Sequence, residues 1–104
     1  MAASSPPPKV PAKFLVRSCD YEESWGEKQT ILHGEAVDGP IRVGQMFRFV
    51  RHPGYATYPV DLQVEKIHTG IIKSITVAQP GVAVRLITFG PDAWEIGNGA
   101  LLWT

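Results

Sequence analysis

From Gly26 onward glycine and proline recur so often that an ordinary helix has no room to form. Beyond Gly26 the longest stretch free of both is Val60 to Thr69, ten residues. A typical helix takes about 11 to 12 residues with an apolar repeat near 3.6, whereas interruptions at this spacing suit short strands joined by turns. Side-chain alternation agrees. Phe14 and Val16 fall on one face of a strand, Phe47 and Phe49 on one face of another, and Val82, Val84 and Leu86 on one face of a third. The opposite face of that third strand, Ala83, Arg85, Ile87 and Phe89, is mixed, as in a small closed barrel whose outer side is partly covered. Ile67, Ile71 and Ile75 lie four apart, the spacing of a helix, but Gly70 interrupts them and β-branched residues dominate the segment. Such residues lose rotamer freedom in a helix and fit a pleated sheet, so the segment is expected to be strand. Asp38-Gly39-Pro40 and Gln79-Pro80-Gly81 mark chain reversals. Phe89-Gly90-Pro91-Asp92 and Ile96-Gly97-Asn98-Gly99 repeat that chemistry ahead of a last short strand, Ala100 to Trp103. The expected fold is all-β, a small antiparallel barrel.

At 104 residues the chain can build one modest hydrophobic core and no more. Residues 1–12 hold Pro6, Pro7, Pro8 and Pro11 with two serines, and are expected to be a flexible leader to a barrel spanning 13–104. Ten basic and ten acidic side chains cancel, which leaves none of the positive excess that binding to duplex DNA requires. No apolar run approaches the roughly 20 residues that cross a bilayer, and the expected location is the cytoplasm. Cys19 is the only cysteine, so neither an internal disulfide nor a cysteine-built zinc site is expected.

Three groups of side chains qualify as candidate sites. Arg51, His52, Tyr55 and Tyr58 fall in one short segment, and combine planar hydrogen bonding with aromatic contact area of the kind found at interface anchors. Its bland alternative is a solvated loop with the tyrosines laid back on the barrel. Asp20, Glu22, Glu23 and Trp25, with Tyr21 and Glu27 among them, make an acidic, aromatic stretch expected to be a loop between the first two strands. It is suited to a basic partner and lacks the ligand spacing of a calcium loop. From Gly39 to Gly90 the balance reverses, with Arg42, Arg48, Arg51, Lys66, Lys73 and Arg85 against Asp61 and Glu65. His33, His52 and His68 are far apart in sequence, so no metal site is expected from them. Cys19 has no adjacent base or helix start to activate it as a nucleophile.

Three stretches, taken in order, resemble the second, β-barrel domain of translational GTPases of the elongation factor Tu type. The first is Gly34-Glu35-Ala36-Val37-Asp38-Gly39-Pro40-Ile41-Arg42-Val43-Gly44-Gln45, similar to the family's hairpin, in which a charged turn restarts as aliphatic, basic, Val and Gly. The second joins Val64-Glu65-Lys66-Ile67 to Ala78-Gln79-Pro80-Gly81-Val82-Ala83-Val84-Arg85-Leu86. The third, Glu95-Ile96-Gly97-Asn98-Gly99-Ala100-Leu101, resembles the closing turn and leucine strand. With Phe14-Leu15-Val16 they cover nearly everything from Lys13 onward. The resemblance implies a Greek-key barrel of six or seven strands. It also implies an RNA-end pocket beside the strand that carries Glu65 and His68, where the family has an acidic residue and an arginine. Glu65 keeps the first; His68 replaces the second, and imidazole is no substitute for a permanently charged fork.

No G-x-x-x-x-G-K-[ST] phosphate loop occurs, so nucleotide binding is not expected. The expected function is that of a free-standing, non-catalytic binding module without a cofactor, whose partner is a protein or a ribonucleoprotein. RNA binding, at a ribosome or a tRNA end, is the alternative. Further alternatives are a specific inhibitor or assembly subunit of a separate protein, and a small metal protein or enzyme.

Overall fold

The computed structural model describes residues 12–70 and 73–104. They form nine strands: β1 (Lys13–Ser24), β2 (Glu27–Asp38), β3 (Ile41–Arg42), β4 (Met46–Arg51), β5 (Tyr58–Thr69), β6 (Lys73–Ile75), β7 (Val77–Ala78), β8 (Ala83–Phe89) and β9 (Leu101–Trp103). Ala93–Glu95 makes one turn of 3-10 helix. Six strands close a ring in the order β1, β2, β8, β5, β4, β9 and back to β1, every pair antiparallel. β6 extends β5 beyond the ring, and β3 pairs with β7 as a small separate ribbon. This is the all-β antiparallel barrel that turn spacing predicts and the Greek-key barrel that the resemblance implies; Ile67 and Ile75 face each other across the β5–β6 pair, and Ile71 lies outside the described residues.

The barrel interior follows from alternation. On β2, Thr30, Leu32, Gly34 and Ala36 point inward and the residues between them do not. On β8 the inward set is Val84, Leu86 and Thr88. Phe14, Val16, Phe47, Val50, Leu62, Val64, Ile67, Ile96 and Leu102 complete a core without solvent access. The two buried threonines meet partners inside it: Thr88 Oγ1 donates to the Thr30 carbonyl at 3.0 Å, and Thr30 Oγ1 donates to the Ala93 carbonyl. That second bond ties the 3-10 turn to the barrel, as satisfaction of buried hydroxyls requires.

Where a bulge shifts the ladder, the simple two-residue period fails. On β4 the register shifts between Phe47 and Phe49, so Phe47 and Val50 are buried while Phe49 is 40% exposed and stacks on Trp103 outside the barrel. The expectation that Phe47 and Phe49 share a face is thereby corrected. Val82 is also exposed, because β8 begins at Ala83 and the Gln79-Pro80-Gly81 turn carries Val82 outside the ladder. Of the leader expected over residues 1–12, only Ala12 is among the described residues. It is buried and exchanges hydrogen bonds with Thr104; residues 1–11 lie outside the described residues. The acidic stretch from Asp20 to Glu27 is likewise not a loop. The β1–β2 ladder runs on to Ser24 opposite Glu27 and leaves only Trp25 and Gly26 to turn the chain.

Candidate functional site

The segment between β4 and β5 is divided between structural and exposed side chains. His52 Nε2 accepts the Gly97 backbone N–H at 2.9 Å, and its Nδ1 lies 3.4 Å from Tyr58 Oη. An accepting Nε2 leaves the imidazole proton on Nδ1, facing the tyrosine. The two rings stack with centroids 6.1 Å apart, and Tyr58 packs on the core. Burial, and then the carboxylates of Glu95 and Asp92, raise the Tyr58 pKa above the ordinary phenol value. Tyr55, by contrast, is 74% exposed, and Arg51 is exposed at the end of β4. His52 and Tyr58 thus clamp this loop to the Gly97 turn, and of the four candidate residues Arg51 and Tyr55 are the exposed ones.

A groove of about 450 Å³ opens on the outer face of the sheet, lined by Arg17, Ser18, His33, Glu35, His68 and Arg85 among others. Register produces it. His33 lies opposite Arg85 on β8, Arg85 lies opposite His68 on β5, and Ser18 lies opposite His33 on β1. Directly paired residues share a face, so four adjacent strands contribute one row of polar side chains. Within it Arg17 is ion-paired with Glu35, and His33 Nε2 lies 3.0 Å from Asp20 Oδ2. Glu65 is exposed beside the β5 bulge and does not line the groove, so the two residues proposed for an RNA-end pocket fall in different places. Among the described residues no group of three or more His, Cys, Asp or Glu is placed to hold a metal ion.

The β1–β2 hairpin carries the third site. Trp25 and Gly26 have φ of +53° and +79°, the positive values that a two-residue type I′ turn demands at both central positions. Asn or Asp normally fills the first of these; here it is Trp25, 100% exposed. β8 accompanies β2 only from Gln29 onward, and β9 accompanies β1 only as far as Leu15, so the tip extends past its neighbouring strands. A bare ribbon of this kind is marginal in water, and the 3-10 turn together with Ile96 after it braces the ribbon. Trp94 Nε1 donates to the carbonyls of Glu22 and Gln29, at 3.1 and 3.2 Å, which are paired residues on the two strands. The Lys28 ammonium sits 5.1 Å from the Trp94 ring centre, a cation–π contact. Tyr21 Oη donates to the Ile96 carbonyl, with Cys19 Sγ 3.2 Å from the phenol oxygen of Tyr21. The Cys19 contact, and then burial, push the Tyr21 pKa up to about 12. Asp20 and Glu22 share the outer face of the ribbon with Glu27, while Glu23 lies on the inner face opposite Lys28.

Sequence inspection finds Trp25 and the acids but misses the groove, because Arg17, His33, His68 and Arg85 come together only through pairings between strands distant in sequence. Trp94, the brace, carries no local signal either.

No family model matches the chain, and no curated protein matches it. Solved structures do. The translation elongation factor SelB from Methanococcus maripaludis in its apo form superposes with a TM-score of 0.70 at 22% identity, over 92% of this chain and 19% of that one. The same protein with the GTP analogue GPPNHP gives 0.71 over the same shares. Sup35 complexed with GMPPNP gives 0.62 at 25% identity, over 99% of this chain and 23% of that one. The chain spans about a fifth of the length of these structures, and its fold is that of the β-barrel domain of translational GTPases of the elongation factor Tu type.

Proposed function

We propose that this chain is a non-catalytic, cytoplasmic binding module that recognises a protein partner through the tip of the β1–β2 hairpin. The observation that supports it is Trp25, an indole wholly exposed on a braced ribbon. A tryptophan can bury on the order of 150–250 Å² in an interface, and a preorganised support avoids the ordering cost of association. Three groups with reactive chemistry make structural contacts: Cys19 and Tyr21 meet the Ile96 carbonyl, and His52 joins the Gly97 turn. Affinity capture on the immobilised protein, with and without ribonuclease and with partners identified by mass spectrometry, tests this reading. A named protein retained after ribonuclease and lost with Trp25→Asn supports it; identical capture by both forms overturns it.

A second reading, binding of an RNA end, is favoured by the row Ser18, His33, Arg85 and His68 around one open groove. Capture that ribonuclease abolishes, and that Arg85→Ala with His68→Ala weakens, would place it first; such a complex also weakens steeply with salt as counterions are released.

A further inference from the structure

We infer that the hairpin tip takes an extended basic segment of its protein partner, a stretch with lysine or arginine at alternate positions; this rests on the binding-module reading and adds the chemistry of the partner. Trp25 is the anchor and the charges around it choose the occupant. The outer face of the ribbon carries Asp20, Glu22 and Glu27, all exposed, and the inner face carries Glu23. The one basic residue of the tip, Lys28, is held over the Trp94 ring, away from that outer face. A fully exposed indole also suits the interfacial zone of a membrane or a nucleotide base, but both of those surfaces bring phosphates, and like charges at close range oppose them. A cationic segment meets the reverse situation.

Geometry narrows the form of that segment. Asp20 already has His33 Nε2 3.0 Å away, whereas Glu22 and Glu27 are diagonal neighbours on the same face of the β1–β2 ladder, roughly 7 Å apart. Alternate residues of an extended peptide have a similar spacing, so successive cations can each meet a carboxylate while one guanidinium lies on the face of Trp25. Tyr21, 49% exposed, adds aromatic surface on the side of the ribbon that faces Trp94. The surface is rigid before binding because Trp94 donates to both strands at Glu22 and Gln29.

Titration with two fluorescently labelled peptides of equal length, one alternating Arg with Thr and the other Glu with Thr, tests the inference on the full chain. Poly(U) and vesicles containing phosphatidylglycerol serve as the competing occupants. The Arg–Thr peptide should bind, with affinity falling as salt rises. Trp25→Asn, which suits the turn and so keeps the fold, should weaken it by about tenfold or more, as loss of an interface anchor does. Glu22→Gln with Glu27→Gln should weaken it and flatten the salt dependence, whereas Val82→Ser, at the far end of β8, should leave binding unchanged. Equal binding of the Arg–Thr peptide by wild type and Trp25→Asn overturns the inference. So does stronger Trp25-dependent binding of poly(U), the Glu–Thr peptide or the vesicles. Partner capture that needs Trp25, without any binding of the Arg–Thr peptide, overturns the basic-segment inference alone. Peptide binding through Trp25 with capture indifferent to it overturns the binding-module reading alone.

Discussion

Trp25 occupies a backbone position that its side chain disfavours. For an L-residue other than glycine the left-handed region costs roughly 1–2 kcal/mol, and Asn or Asp recovers part of that through local hydrogen bonding. Trp25→Asn should therefore raise stability by about 0.5–1 kcal/mol, read as a higher denaturation midpoint; a lower midpoint would show that the indole supports the turn. Such strain at an exposed position is what a surface kept for contact carries. Gly34 presents the opposite case, a small residue kept for space. A Cβ there would lie 1.9 Å from the Leu15 carbonyl oxygen, and a backbone atom inside a paired ladder cannot move aside. Gly34→Ala should cost about 1–3 kcal/mol or more, as overpacking does, and an unchanged midpoint in urea would mean that β1 can shift on β2. Neither demand is visible in sequence, where Trp25-Gly26 and Gly34 are merely turn-like and small residues.

The hairpin as an element depends on the segment from Ala93 to Ile96, and its alkaline behaviour reports on that contact. Tyr21 has its pKa raised from 10.0 to about 12, first by the Cys19 contact and then by burial. A raised folded-state pKa means that the folded chain holds the proton more tightly than the unfolded one. The stabilisation is complete below the unfolded value and is lost as pH rises through the folded one. Stability should fall between pH 10 and about 12, and Tyr21→Phe should lower the midpoint below that window while making the alkaline fall shallower. Urea midpoints across the pH range check it; identical slopes for both proteins would detach Tyr21 from the effect. Strands were largely legible in the sequence: Val84 and Leu86 are inward as alternation predicts. Registers were not. The inward set of β5 runs Val60, Leu62, Val64 and then Ile67 because a bulge falls between Val64 and Lys66. A bulge is decided by barrel curvature, which belongs to no single strand. The groove residues stayed hidden for the same reason, since pairing alone sets His33 and His68 on either side of Arg85.

The whole molecule is a ring, and its fold class could be expected because glycine and proline leave little room for a helix beyond Gly26, while the order of strands around the ring came only with the structure. No phosphate loop, whose backbone would cradle a nucleotide's phosphates, occurs in the sequence. Calorimetric titration with GTP should therefore show no binding heat, and a saturable heat would reveal a nucleotide site elsewhere on the barrel. Closure depends on the shortest ring strand. β9 has three residues, yet Leu102 lies opposite Phe14 on β1 and Val50 on β4, all three without solvent access. Leu86 is equally buried but sits between the long ladders that β8 makes with β2 and β5. Truncating either leucine to alanine should cost about 2–5 kcal/mol, the usual range for a core cavity. The manner of unfolding then tests whether the ring is one cooperative unit. If β9 cannot open without the rest, far-ultraviolet circular dichroism and tryptophan fluorescence, which includes Trp103 within β9, should report one shared midpoint in both Leu86→Ala and Leu102→Ala. An earlier fluorescence transition confined to Leu102→Ala would show that the β9 seam parts first and that the other five strands hold together without it.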